Sequence, residues 1–204
     1  MLATLLGAAR AAPVTIGIAA VLLGTQFAAA ILPGAFEGLI HSDTGLASGE
    51  VWRLATGHLV HLDGIHLGAN LAALLALGLP LEREIGSRSV VALMAVAGLA
   101  ISAGAMLDPA VGAYCGLSGV LNAVFACLCM VGLRTGPRAL WGTLLAAGLA
   151  KIAWEWGNPP LLSGDLSWPP HVLSHLIGYV TGIVGGLFSI GARFGLPIAS
   201  TLRR

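Results

Sequence analysis

An all-α membrane protein, a bundle of six transmembrane helices, is the fold this sequence predicts, and three observations predict it. Of the 204 residues, 57% are hydrophobic and only 9% are charged, with mean hydropathy +0.91; a soluble domain carries about a quarter charged residues. The apolar residues fall into runs long enough to span a bilayer, and the charges between those runs sort by sign. A charge facing hydrocarbon costs about 2.5–3.5 kcal/mol on insertion scales, so contact with membrane lipid explains a depletion that a protein core would not demand. The net charge of +1 gives no bulk electrostatic argument for a nucleic-acid partner. Three cysteines, Cys115, Cys127 and Cys129, make no disulfide framework, because the count is odd and two lie inside an apolar run.

A membrane helix needs about 20 apolar residues, which sets spans near 13–32, 65–81, 90–107, 116–133, 139–154 and 172–192. The first run, from Pro13 to Pro33, is too long for the apolar core of a signal peptide and reads as a retained helix. The long connection after it is not plainly polar: residues 51–62 are amphipathic and fit the outer leaflet. The second and fifth spans are short and carry polar residues, so they need shielding by neighbours or line a cavity. No repeat or composition shift divides the chain, and residues 1–204 read as one membrane domain.

Orientation follows from the connections. Arg10, Arg83, Arg88, Arg134, Arg138, Arg193, Arg203 and Arg204, eight of the ten basic residues, fall on one side. Glu37, Asp43, Glu50, Asp63, Asp108 and Asp165 fall on the other. The positive-inside rule then places both termini in the cytoplasm, and an even number of spans agrees. Trp154, Trp156 and Trp168 gather at the outer interface and Trp141 at the inner one, as an aromatic belt does.

Polar groups at membrane depth are expensive and point to function. Here they are His58, His61, His66, Asn70, Ser118, Asn122, Lys151, Glu155, His171 and His175. All but Asn122 lie in the outer half or at the outer rim of their spans, so they are expected to converge on one cavity open to the outside. Gly116-Leu117-Ser118-Gly119 opens the fourth span, where the first N–H groups of a helix lack internal partners and can meet a developing oxyanion. The same pattern also serves helix packing. His175, Gly178, Gly182 and Gly186 share one helix face; small residues in such a row let a second helix approach closely. If that helix is the fourth span, His175 meets Ser118 and its neutral imidazole can take the hydroxyl proton. His66 and Asn70, four apart on one face, both carry donors suited to an oxyanion. His58, His61 and His66 also admit a zinc reading, but no carboxylate accompanies them in a zincin-type spacing; no metal and no cofactor is expected. Lys151 and Glu155, four apart in the fifth span, form a charged pair that neutralises itself within the bundle.

The joint pattern resembles the rhomboid intramembrane proteases. The matching elements are Glu50-x-Trp52-Arg53, His61, His66-x-x-x-Asn70, the turn with Gly86-Ser87, Gly116-Leu117-Ser118-Gly119, and His175-x-x-Gly178-x-x-x-Gly182. Within that family the chain looks most like the rhombosortases, through Thr56-Gly57-His58-Leu59-Val60-His61, Tyr114-Cys115-Gly116-Leu117-Ser118-Gly119-Val120-Leu121 and Lys151-x-x-Trp154-Glu155. It departs from the usual pattern at Cys115, Asn122 and Ser174. The resemblance implies an intramembrane serine endopeptidase with Ser118 as nucleophile and His175 as general base, a dyad with no acidic residue orienting His175. It implies an oxyanion and substrate-binding set of His66, Asn70, Gly116, Leu117 and the Ser118 backbone N–H. Auxiliary positions are His61, Lys151, Glu155 and His171, while Glu50 and Arg53 hold the first loop. It further implies a transmembrane protein substrate bearing a C-terminal Gly-Gly sorting tail, and a bacterial inner membrane with the site facing the periplasm. Two other readings compete. A catalytically inactive relative would lack the serine or the histidine, and a small transporter would carry polar groups into the cytoplasmic half.

Overall fold

The computed structural model describes residues 12–109, 111–158 and 171–193. Arg10, Asp165, Trp168, Arg203 and Arg204 lie outside the described residues. In chain order the elements are α1 (Pro13–Ile31), α2 (Ala35–Leu39), β1 (His41–Ser42), α3 (Asp43–Ala47), α4 (Arg53–Thr56), α5 (Gly64–Ile85), α6 (Ser87–Leu107), β2 (Ala113–Tyr114), α7 (Ser118–Thr135), α8 (Arg138–Glu155) and α9 (Val172–Arg193).

Among the described residues, four helices, α1, α5, α6 and α7, are long and apolar enough to cross a membrane. They differ in position. In the most apolar window of α7, 61% of residues are buried, against 17% in α1, so α7 is the central post and α1 an outer helix. Around α7 pack α5, α6, α8 and α9. Large apolar side chains such as Leu23, Phe27, Leu99, Leu107, Val184 and Phe188 point outward from the bundle, as they do when lipid is the solvent.

The second helix is longer than its apolar run predicts. Asp63 caps it, its carboxylate accepting the His66 N–H at 2.7 Å, and it continues past Pro80 to Ile85. Proline removes one ladder hydrogen bond, but the last turn carries Glu82, whose contacts anchor it. Glu82 is 2% exposed and accepts from the backbone N–H of Val14 (3.0 Å) and Thr15 (2.7 Å), from Thr15 Oγ1 (2.8 Å) and from Ser87 Oγ (2.7 Å). The start of α1 has no side-chain cap of its own. Glu82 supplies that cap from another helix, satisfying donors that a helix N-terminus otherwise leaves open.

The amphipathic stretch 51–62 forms only the single turn α4. Arg53, buried there, donates to Glu50 Oε2 (2.5 Å) and to the carbonyls of Glu37 and Ile40, which draws α2, β1 and α4 into one compact loop. Sequence periodicity does not anticipate the antiparallel pairing of β1 with β2, His41 against Tyr114 and Ser42 against Ala113; two residues are too few to show a period. This ladder ties the first loop to the segment that leads into α7.

Candidate active site

Ser118 is the first residue of α7. The chain reaches it through Gly116, whose φ of +108° belongs to glycine and whose N–H donates to Gly57 O at 2.9 Å. Leu117 occupies the N-cap and offers no side-chain acceptor, so the leading N–H groups of α7 remain available beside the Ser118 hydroxyl. Ser118 Oγ lies 3.0 Å from His175 Nε2.

That approach depends on the glycine row of α9. A Cβ on Gly178 would overlap the carbonyl oxygen of Gly119, and one on Gly182 would overlap that of Ala123. With both absent, the backbones of α7 and α9 touch and His175, one turn earlier on α9, lands over Ser118. His175 is 6% exposed.

His66 flanks the same point from α5. A Cβ on Gly116 would meet the His66 ring, 2.6 Å from Cε1 and 2.8 Å from Nε2, so the glycine makes room for the imidazole as well as the turn. Asn70, one turn on, is buried and donates one amide hydrogen to His66 O at 2.9 Å; its second remains for another acceptor. His61 stacks edge-on against His66, ring centroids 4.9 Å apart. Its own N–H donates to Gln26 Oε1 at 3.1 Å, and burial with His66 close by pushes its imidazole down to about 3, which keeps it neutral.

A carboxylate does lie against His175, where the dyad expectation places none. Glu155 Oε2 lies 2.9 Å from His175 Nδ1, and Lys151 Nζ lies 2.8 Å from Glu155 Oε1. The pair does neutralise itself, but a carboxylate has two oxygens and only one faces lysine. A sequence signal existed: Glu155 ends α8, and a carboxylate at a helix C-terminus opposes the macrodipole, so it needs partners elsewhere.

Three of the polar residues do not converge on this point. His58 turns away and sits between Gly98 O (3.0 Å), Ser102 Oγ (3.1 Å) and the Tyr114 hydroxyl. Burial pushes it down to about 4, so it is a neutral packing histidine. His171 pairs through Nδ1 with Ser174 Oγ at 2.5 Å and through Nε2 with Asp108 at 3.4 Å, which makes it a lock on the entry to α9 and leaves the hydroxyl of Ser118 to His175. Asn122 donates to Ser118 O at 2.9 Å within its own helix. Among the described residues no cluster of His, Cys, Asp and Glu has the geometry to hold a metal ion.

Ser118 and His175 are thus hydrogen-bonded at the N-terminus of α7, inside a bundle of apolar helices. The Rhomboid domain profile matches residues 48–191. The chain belongs to the rhomboid family. Members of the rhomboid family are intramembrane serine proteases, and the matched stretch runs from the Arg53 loop to the glycine row of α9. Comparison with curated proteins finds no match. Within the rhomboid domain, the Glu50–Arg53 contact holds the first loop in the structural role the motif implies, and the carboxylate beside His175 is what the motif alone does not imply.

Proposed function

We propose that the chain is an intramembrane serine endopeptidase, one domain that crosses the bacterial inner membrane six times with both termini in the cytoplasm. Two features support the six spans. Helix α8, with 18 residues, is about 27 Å long, close to the ~30 Å hydrocarbon thickness, and its internal charges are paired. Helix α9 has 22 residues and lies against the spans α6 and α7. Arg83, Arg88, Arg134 and Arg138 border the α5–α6 and α7–α8 connections, while Asp43, Glu50, Asp63 and Asp108 lie at the other end, which favours a site opening to the periplasm.

The observation that carries the reading is the 3.0 Å hydrogen bond between Ser118 Oγ and His175 Nε2. Ser118 Oγ attacks the scissile carbonyl carbon as His175 Nε2 takes its proton. The carbonyl electron pair moves to oxygen, where the Ser118 N–H, the second Asn70 amide hydrogen and His66 receive it. His175 then returns the proton to the leaving amine as the C–N bond breaks, and water hydrolyses the acyl-enzyme by the same route. The substrate class is a membrane-anchored protein, of which a C-terminal Gly-Gly sorting tail with one helix and a basic end is the favoured form.

The test is release of a tagged, tail-bearing membrane reporter in cells, with the level of each variant followed by blot. Ser118→Ala and His175→Ala each abolish release, and the double variant is little worse than either because the two act as a unit. Replacing the tail glycines by leucine reduces release from the wild type. Full release by well-expressed Ser118→Ala removes the protease reading; equal release from both reporters removes the tail.

A further inference from the structure

We propose that Glu155 is a positioning residue for His175: with Lys151 it fixes the imidazole tautomer that can accept the Ser118 proton, so that the unit is Ser118–His175–Glu155 with a lysine counter-ion. This rests on the reading of Ser118 and His175 as nucleophile and base.

The argument starts from the cost of the site. The Glu155 side chain is 3% exposed and ends a helix whose dipole opposes it. A carboxylate in that place is held only if each oxygen has a partner. Lys151 Nζ takes Oε1 at 2.8 Å and His175 Nδ1 takes Oε2 at 2.9 Å. Lysine brings donors and no acceptor, and an ionised carboxylate accepts and does not donate. The hydrogen between Glu155 and His175 therefore sits on Nδ1. A neutral ring with Nδ1–H has a bare Nε2, and Nε2 is the atom 3.0 Å from Ser118 Oγ. The opposite tautomer would point an N–H at the serine and could not take its proton.

Around His175 stand Ser118 from α7, Glu155 from α8 with Lys151 behind it, and His66 from α5. His171 precedes it on α9, its Nε2 directed to Asp108. Only Glu155 among them hydrogen-bonds Nδ1. In the first step the Ser118 proton moves to Nε2 while the Oγ–C bond forms. The imidazolium then keeps Nδ1–H on Glu155, which takes no proton, and Nε2 gives its proton to the leaving nitrogen.

Lysine makes the proposal testable, because it dictates how an amide would sit. In Glu155→Gln, Lys151 retains the carbonyl oxygen, so the amide NH2 faces Nδ1 and forces the hydrogen onto Nε2. Adding Lys151→Met frees the amide to turn its oxygen to Nδ1. The experiment uses the full chain in proteoliposomes with the tagged membrane reporter, measuring kcat and KM, and thermal unfolding of each variant. Glu155→Gln lowers kcat by about 10²–10⁴-fold, the worth of a positioned general base, with KM little changed. Lys151→Met/Glu155→Gln recovers kcat by about tenfold or more over Glu155→Gln, since the amide orientation is set by its hydrogen-bond partners. Lys151→Met alone lowers kcat, because one carboxylate oxygen loses its partner, but by less than Glu155→Gln does, because the other oxygen still accepts from Nδ1.

A structural ion pair predicts the reverse order, with the double variant worse than Glu155→Gln. That order, full kcat in Glu155→Gln, or Lys151→Met as inactive as Glu155→Gln overturns the proposal. Ser118→Ala in the same assay separates the two levels. If Ser118→Ala cleaves, the protease reading fails; if it is dead while Glu155→Gln is fully active, only the role of Glu155 fails.

Discussion

Glu82 and Glu155 are both buried carboxylates of the same bundle, and the company they keep is opposite. Glu82 lies about four helical turns from His66 along α5, roughly 24 Å away, at the end remote from Ser118. It accepts from two backbone N–H groups and two hydroxyls, none of which changes charge, so it acts as a fixed rivet joining α1, α5 and α6. Glu155 accepts from an ammonium and an imidazole, one of which must gain and lose a proton if Ser118 is to react. Burial alone therefore does not separate a structural carboxylate from one coupled to chemistry; the nature of its donors does.

The largest effect comes from removing the frame of the Ser118 end without touching either glutamate. Gly178→Leu puts a side chain into the carbonyl of Gly119, and backbone cannot yield as a flexible side chain does. Cleavage of the reporter falls to the Ser118→Ala level and the protein unfolds at a lower temperature. Near wild-type turnover would mean that α9 does not need to touch α7.

Next is Glu82→Ala. It leaves four donors without their acceptor, at about 1–3 kcal/mol for each that stays buried and unpaired, so stability falls by about 3 kcal/mol or more in detergent unfolding. Turnover per folded molecule stays at the wild-type value. A selective loss of turnover with unchanged stability would erase the contrast with Glu155.

Much of this arrangement could be read from the sequence, and the parts that could not have physical reasons. The four helices long and apolar enough to cross a membrane follow from composition, and the meeting of Ser118 with His175 follows from a glycine row that only close helix packing explains. His66 and Asn70 share a face because they are four apart. The reach of Glu155 to His175 is a contact between α8 and α9, which no spacing within either helix encodes. An adequate local explanation, the lysine four residues earlier, concealed it. His58 looked like part of the outer cavity because position along a span gives depth but not direction, and its ring turns to Ser102 and Tyr114.

Asn70 and His66, the proposed oxyanion groups, sharpen the comparison at the Ser118 end further. Asn70→Ala lowers turnover by about 10²–10³-fold or less, the usual cost of one oxyanion donor, with little change in unfolding temperature because the lost hydrogen bond is local to α5. If His66→Ala and Asn70→Ala both leave cleavage unchanged, these side chains only pack the helix.

The smallest effect belongs to Cys115, one residue before Gly116. Burial pushes its thiol up to about 12, so it holds its proton at neutral pH and is a poor nucleophile. Cys115→Ser leaves turnover within about twofold of wild type, because a hydroxyl can make the hydrogen bond to the Leu62 backbone that the thiol makes, and intact mass after iodoacetamide shows Cys115 unmodified. Rapid alkylation with loss of activity would mean the site is more open than its burial indicates.

The central claim is that His175 activates Ser118 as a nucleophile. It is tested most directly by treating the full chain in liposomes with a fluorophosphonate probe and locating the adduct by peptide mass spectrometry. The account predicts one adduct on the Ser118 peptide of the wild type, absent from Ser118→Ala and strongly slowed in His175→Ala. A folded wild type that takes no probe at Ser118, or a His175→Ala variant labelled at the wild-type rate, would contradict it.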